Sequence, residues 1–154
     1  MPVTFEGYGN LLNCNEEVIV CPIDTASTMC SGISLCLRNE VMGLYTFYKS
    51  LQEMGDLYVG TVHIYNCPNS DRKIVLFPIR HGIDKPLSLE DISLSLDNLV
   101  SKIQGTSIES LAISSEEMTD EHIDYFNDLK PLFMSKLSVL DAEISIYNRE
   151  TTGF

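Results

Sequence analysis

The succession of apolar segments predicts an α/β layered domain built on a mixed sheet. Three observations carry that prediction. Segments with strand character and segments with helical spacing mostly alternate, giving roughly six strands and four helices. The run Val18 to Ile23 is apolar throughout and rich in β-branched residues, as expected of a strand buried on both faces. No segment repeats another, which sets repeat architectures aside.

Taken in order, Val3-Thr4-Phe5 predicts a short strand and Gly7 to Asn10 a turn. Val18 to Ile23, closed by Pro22, predicts the buried strand. A loop of small residues, Thr25 to Gly32, leads into a helix over Gly32 to Asn39, with Ile33, Leu35, Cys36 and Leu37 close together at its start. Strand, small-residue loop and helix N-terminus together suit an anion: unpaired N–H groups point outward, and the helix dipole adds partial positive charge. An ordinary βα turn without a ligand has the same pattern. Leu44, Phe47, Tyr48 and Leu51 recur at helical spacing before Gly55, a stripe suited to core packing.

Gly60 to Tyr65 and Lys73 to Pro78 read as two strands joined by the turn residues Asn66 to Arg72, hence a hairpin. His63 falls in the first of them and reads as a structural or surface histidine. Arg80 to Pro86 is a polar loop placed where such a sheet exposes residues to a ligand. Ser88 caps the clearest helix, with Glu90 and Asp91 in its first turn, an apolar stripe of Leu89, Ile92, Leu96, Leu99 and Ile103, and Gly105 as its stop. Ile108 to Ile113 is the next strand. A helix is expected from Thr119, with Ile123, Phe126 and Phe133 inward and a kink or split at Pro131. Ala142 to Tyr147 is the last strand, and Asn148 to Phe154 a tail.

A chain of 154 residues, 44% hydrophobic and 21% charged, is expected to form one globular domain over residues 1–154. No apolar run approaches the ~20 residues of a membrane span. No basic segment leads into an apolar one near Met1, so no secretory signal is expected and the cytoplasm is the expected compartment. Cys14, Cys21, Cys30, Cys36 and Cys67 are odd in number and contain no C-x-x-C pair, which fits reduced thiols. Cys21, Cys30 and His81 lack the paired spacing of metal ligands, and no metal or cofactor is expected. The formal charge of −12 repels a nucleic-acid backbone and argues against general DNA or RNA binding. A small anion held by backbone amides is compatible with that charge.

In order and spacing these segments resemble the macro domain, the ADP-ribose-binding fold, and within it the branch of antitoxin-type enzymes that remove ADP-ribose from DNA. The likeness covers residues 9 to 114 by motif and the remainder by element order. Gly9-Asn10-Leu11-Leu12 is similar to the opening turn of the family, and Cys21-Pro22-Ile23-Asp24-Thr25 to its Asn-Pro-Val-Asn-Thr. Met29-Cys30-Ser31-Gly32-Ile33-Ser34-Leu35 resembles the phosphate loop Met-Gly-Lys-Gly-Ile-Ala-Leu. Leu57-Tyr58-Val59-Gly60 looks like the lead-in to the next strand, Phe77-Pro78-Ile79-Arg80-His81 like Phe-Pro-Thr-Lys and a His-containing loop, and Leu87 to Ile92 like the start of the long helix. Small phage-encoded members of this branch are similar to this chain, which would place it in a host cytoplasm.

The resemblance implies a three-layer α/β/α fold with a mixed, mostly parallel six-stranded sheet. It also implies a site for ADP-ribose or a related phosphorylated nucleotide, with Asn10 toward adenine and Thr25, Met29, Cys30, Ser31, Gly32 and Ile33 along the phosphates. Tyr147 is the implied stacking partner. The residues depart from the family at definite places. Cys21 and Asp24 replace two asparagines, Cys30 replaces a glycine, and Arg80 stands for a lysine. Arginine keeps the charge but cannot act as a base or form a Schiff base at neutral pH. The second glycine-rich phosphate loop is replaced by Ser114-Ser115-Glu116-Glu117-Met118-Thr119-Asp120-Glu121, whose acids read as a solvated helix start.

Three functions follow from these residues. One is a module binding ADP-ribose or a related nucleotide. A second is an enzyme, either an ADP-ribosyl hydrolase or an ADP-ribose 1''-phosphatase, in which Asp24 positions or activates water, His81 acts as acid–base and Arg80 stabilises negative charge. The mechanism requires Asp24 and His81 to meet at one cleft. A third is a degenerate macro domain without ligand, whose acidic face from Glu109 to Asp128 meets a basic protein partner.

Overall fold

The computed structural model describes residues 3–5, 14–29, 32–82, 85 and 87–147, with backbone alone at 3–5 and 116. The expected turn at Gly7 to Asn10, the site residues Asn10, Cys30 and Ser31, and the tail lie outside the described residues.

The strands are β1 (Val3–Phe5), β2 (Val18–Asp24), β3 (His63–Asn66), β4 (Lys73–Arg80), β5 (Ser110–Ser114) and β6 (Glu143–Tyr147). They form one six-stranded sheet in the order β1-β6-β5-β2-β4-β3, with the three-residue β1 at one edge. Every pairing is parallel except β3 against β4, the expected hairpin. Among the described residues the α-helices are α1 (Gly32–Glu40), α2 (Leu44–Glu53), α3 (Leu89–Ile103) and α4 (Lys130–Leu137).

Strand residues alternate between two buried faces, the period-two signature of a sheet covered on both sides. Val18 and Val20 of β2, Val75, Phe77 and Ile79 of β4, Leu111 and Ile113 of β5 and Ile144 and Ile146 of β6 meet Ile92, Leu96, Leu99 and Ile103 of α3 and Phe133 and Leu137 of α4. Ile19, Cys21 and Ile23 of β2, Ile74 and Leu76 of β4 and Ala112 of β5 face the other way, toward Ile33 and Leu37 of α1 and Leu44 and Tyr48 of α2. The result is the three-layer α/β/α arrangement that the resemblance implies.

α3 keeps its expected limits. Ser88 Oγ accepts from the Asp91 amide, Glu90 and Asp91 occupy the first turn, and Gly105 follows the helix at φ +80°. Pro22 does not close β2. The strand runs through it to Asp24, because β5 pairs only with Val18 to Val20 and beyond that point β4 alone flanks β2. A proline is tolerated where one side of a strand has no ladder to complete.

The helix expected from Thr119 is the clearest miss. Glu116–Met118 is a single 3₁₀ turn, Tyr125–Leu129 a π-helical turn, and only Lys130–Leu137 is α-helical, with Pro131 in its first turn. Asp120 and Asp124 explain the delay. Asp120 Oδ1 accepts from the His122 and Ile123 amides, and Asp124 Oδ2 from the Asn127 amide, so each carboxylate supports a local turn instead of helix propagation. The shifted phase exposes Phe126, which was expected inward, and buries Tyr125 in its place. Ile123 and Phe133 are buried as expected.

Leu96 is fully buried where α3 meets the sheet. Leu96→Ala is expected to lower unfolding free energy by about 2–5 kcal/mol, read as a drop in the urea midpoint. A loss below about 1 kcal/mol would mean that α3 is not packed there.

Candidate functional site

The sheet order reverses around β2: β4 lies on one side and β5, reached later in the chain, on the other. Ligands of open α/β sheets bind at the carboxyl ends of strands at such a switch point. A cavity of about 440 Å³ lies there, within the ~300–1,000 Å³ range of small-molecule sites. Its walls are Pro22, Ile23 and Asp24 of β2, Ala26 and Ser27 of the following loop, Ser34 of α1, Ile79 and Arg80 of β4, Gly82 just beyond, and Glu117.

The loop leaving β2 is held chiefly from α2. Tyr48 Oη donates to the carbonyls of Asp24 (2.6 Å) and Ser27 (2.9 Å), and Gln52 Nε2 donates to those of Thr25 (2.8 Å) and Ser27 (3.2 Å). Arg38 of α1 stacks over Tyr45 and donates through Nη1 to the Thr28 carbonyl (2.7 Å). Carbonyls at both ends of the bend are thereby drawn toward the two helices. Burial pushes the Tyr48 hydroxyl above the usual phenol range.

Asp24 acts as a clip. Its Oδ1 accepts from the Ala26 amide and from the Gly82 amide, each at 2.8 Å, and so ties the loop after β2 to the loop after β4. The Thr25 amide donates to the Arg80 carbonyl at 3.0 Å, and Thr25 Oγ1 lies 2.6 Å from His81 Nδ1. The two strand ends therefore converge, as the acid–base reading of Asp24 and His81 requires. They do so unequally. Asp24 and Arg80 line the cavity, whereas His81 is exposed and stands outside its lining, against Thr25.

The predicted row of outward amides is not what the described residues form. The Ala26 amide is taken by Asp24 Oδ1, the Ser27 amide by the Asp24 carbonyl (3.4 Å) and the Met29 amide by Ser27 Oγ (3.2 Å). Met29 is a buried residue at φ +54°, and Gly32 has φ +57°, so the chain turns sharply into α1. At the helix start the Ile33 amide donates to Glu117 Oε1 at 2.7 Å. Glu117 therefore turns inward to the cavity, contrary to the solvated helix start expected of its segment. Glu109, Asp120, Glu121 and Asp124 of the same acidic stretch are exposed.

Tyr147 does not offer an open ring for stacking. It is only 4% exposed and packs in the α1–α2 core with Ile19, Cys21 and Ala112. Burial, reinforced by the negative charge of Glu16, pushes its hydroxyl up to about 12. Cys14, Cys21, Cys36 and Cys67 are free thiols, and among the described residues no cluster of His, Cys, Asp or Glu could hold a metal ion. Among the described residues no helix is long and apolar enough to cross a membrane.

Sequence reasoning missed Tyr48 and Gln52 as loop holders, Gly82 as partner of Asp24, and Ser34 and Glu117 as cavity walls. Tyr48 and Gln52, four residues apart on one helix, carried a usable signal: polar atoms inside or beside an apolar stripe need acceptors. Glu117 carried none, because only the folded chain reveals which acid of a cluster faces inward.

Comparisons with known proteins agree with this architecture. No protein-family model matches the chain. The DNA ADP-ribosyl glycohydrolase of Mycobacterium tuberculosis is 24% identical over 144 residues, which is 92% of this chain and 41% of that protein. The chain thus spans about two fifths of the curated relative's length. The macrodomain of Thermus aquaticus DarG superposes with a TM-score of 0.84 at 24% identity, covering 96% of this chain and 97% of that one. Thermosipho africanus DarTG in complex with ADP-ribose superposes at 0.77, with 17% identity over 86% of this chain and 38% of that one. The chain has the macrodomain fold.

Tyr48→Phe removes the shared donor while keeping the ring. It is expected to cost about 1–3 kcal/mol and to speed hydrogen exchange at the Ala26 amide. Unchanged exchange would show that Gln52 and Arg38 suffice to hold the loop. Tyr147 gives a pH signature. Its folded state keeps a proton that the unfolded chain loses, so stability should fall as pH rises from about 10 toward 12, and Tyr147→Phe should flatten that fall in alkaline urea titrations.

Proposed function

We propose that this chain binds ADP-ribose, or a closely related phosphorylated nucleotide, in the cleft at the carboxyl ends of β2 and β4. One observation carries the reading. At the switch point of a macrodomain sheet the chain keeps a cavity of ligand size with Arg80 and Asp24 in its wall. The fold neighbour from Thermosipho africanus is a complex with ADP-ribose, which supports the ligand class.

Each wall residue has a chemical part in this reading. The Arg80 guanidinium makes no ion pair or hydrogen bond among the described residues, and its planar fork suits two phosphate oxygens. Asp24 uses Oδ1 for the two amides, and Oδ2 is the oxygen left to accept from a ribose hydroxyl. Gly82, at φ +95°, lets backbone approach the ligand without a side chain. Thr25, Met29, Gly32 and Ile33 shape the bend around the cleft, and Asn10, Cys30 and Ser31 stay in the proposed ligand set on their resemblance to the family.

Hydrolysis is the second reading, supported by the opposition of a carboxylate and a guanidinium in one wall. The mycobacterial relative is named for removing ADP-ribose from DNA. Here Asp24 Oδ2 would order and deprotonate the attacking water, and Arg80 would stabilise negative charge on the departing side. His81, held by Thr25, would have to turn toward the cleft to share the proton transfer.

Titration calorimetry with ADP-ribose tests binding, and release of ADP-ribose from an ADP-ribosylated oligonucleotide tests hydrolysis. The wild-type chain is expected to bind, and Arg80→Ala to bind about tenfold or more weakly. Asp24→Asn should stop any turnover. It should also weaken binding, because the clip between the two loops loses its charge. Wild-type affinity in Arg80→Ala would remove the cleft from the reading, and a flat wild-type titration with no turnover would overturn it.

A further inference from the structure

We infer that Glu117 is a resident anion of the ligand site: its carboxylate occupies the position at the start of α1 that a ligand phosphate would take, and phosphate is admitted only when that side chain leaves. The inference rests on the nucleotide-binding reading of the cleft.

Two observations meet at this residue. The Ile33 amide, in the first turn of α1, donates to Glu117 Oε1 at 2.7 Å, a charge-assisted bond at the positive end of the helix dipole. α1 has no acidic residue in its own first turn, so the anion it takes comes from 84 positions away in sequence. Glu117 is also a wall of the 440 Å³ cavity, together with Asp24 and Arg80. A phosphate entering beside α1 would meet two carboxylates and one guanidinium. It would also find the Ile33 donor already engaged.

The carboxylate can leave without moving the fold. Ser115, before the turn, is held by its amide to the Tyr147 carbonyl, and Met118, after it, is fully buried with its amide on the Ser115 carbonyl. The turn is pinned at both sides, so a movement of the Glu117 side chain leaves its backbone in place. Cys21, buried in the neighbouring strand, feels the same charge. Its thiol is pushed well up, first by burial and then by Glu117.

An ordinary helix cap and a resident anion make opposite predictions. Removing a cap destabilises the helix and the loop beside it, and so weakens a ligand bound there. Removing a competitor strengthens the ligand, because like charges no longer meet. Calorimetry with ADP-ribose on wild type, Glu117→Gln and Glu117→Ala separates the two. The expected result is about tenfold tighter binding in both variants, even as the melting temperature falls. The Ile33 amide resonance should move on ADP-ribose addition to the wild type as one acceptor replaces another. Equal or weaker binding in both variants, with lower melting temperatures, would make Glu117 a cap and overturn the inference alone. A titration flat in all three proteins would sink the reading of the cleft, and this inference with it.

Discussion

The cleft exists because β2 loses one neighbour before it ends. Val18 to Val20 are paired on both sides, and from Cys21 onward only β4 accompanies the strand. Four more residues of β2, Cys21 to Asp24, run on without β5 as a partner, and the loop from Thr25 to Met29 follows them. A loop at the edge of a core needs acceptors and donors for every peptide group that water cannot reach. α2 supplies donors through Tyr48 and Gln52, and Asp24 supplies the acceptor that joins this loop to Gly82. The cavity is what remains once those demands are met. Its position therefore depends less on any ligand-binding motif than on the early end of β5.

Electrostatics then decide what that cavity can hold. A formal charge of −12 is screened over about a Debye length, ~8–10 Å at ordinary ionic strength, so the surface acids matter little inside the cleft. Contacts within the wall matter far more. There the balance is Asp24 and Glu117 against Arg80, with the α1 dipole adding partial positive charge. The 3₁₀ turn Glu116–Met118 brings one carboxylate, that of Glu117, to the start of α1. The same helix end that would attract phosphate attracts that carboxylate instead.

What the sequence revealed follows from how local each signal is. α3 was legible to the residue because its cap, its acidic first turn, its stripe and its glycine stop all lie within the segment itself. The strand limits were legible to within a residue or two for β2, β4 and β6, whose apolar runs need no partner to be recognised. Pro22 misled because its tolerance depends on how far β5 extends, which is a property of another segment. Thr119 misled because Asp120 and Asp124 compete for nearby amides, a choice that helical periodicity does not register. For the site, sequence reading found Asp24 and Arg80 in the cavity wall and the small-residue bend beside it. The described amides of Ala26, Ser27 and Met29 turn back to Asp24 and Ser27, and nothing in the run Thr25 to Gly32 announces that choice.

The inward turn of Glu117 also bears on whether the acidic second loop marks a lost function. A hydrophobic side chain at 117 would fill part of the space and bury apolar area, at roughly 25 cal/mol per Å² in favour of the fold. Instead a carboxylate is brought into a partly buried wall, where desolvation opposes its charge and the Ile33 amide is one of the groups that offset that cost. Arg80 stands in the same wall without an ion pair among the described residues, although Asp24 is its neighbour in register. Two charged groups of opposite sign in one wall suit an occupant that engages both, a hydroxyl-rich sugar toward the acid and a phosphate toward the base.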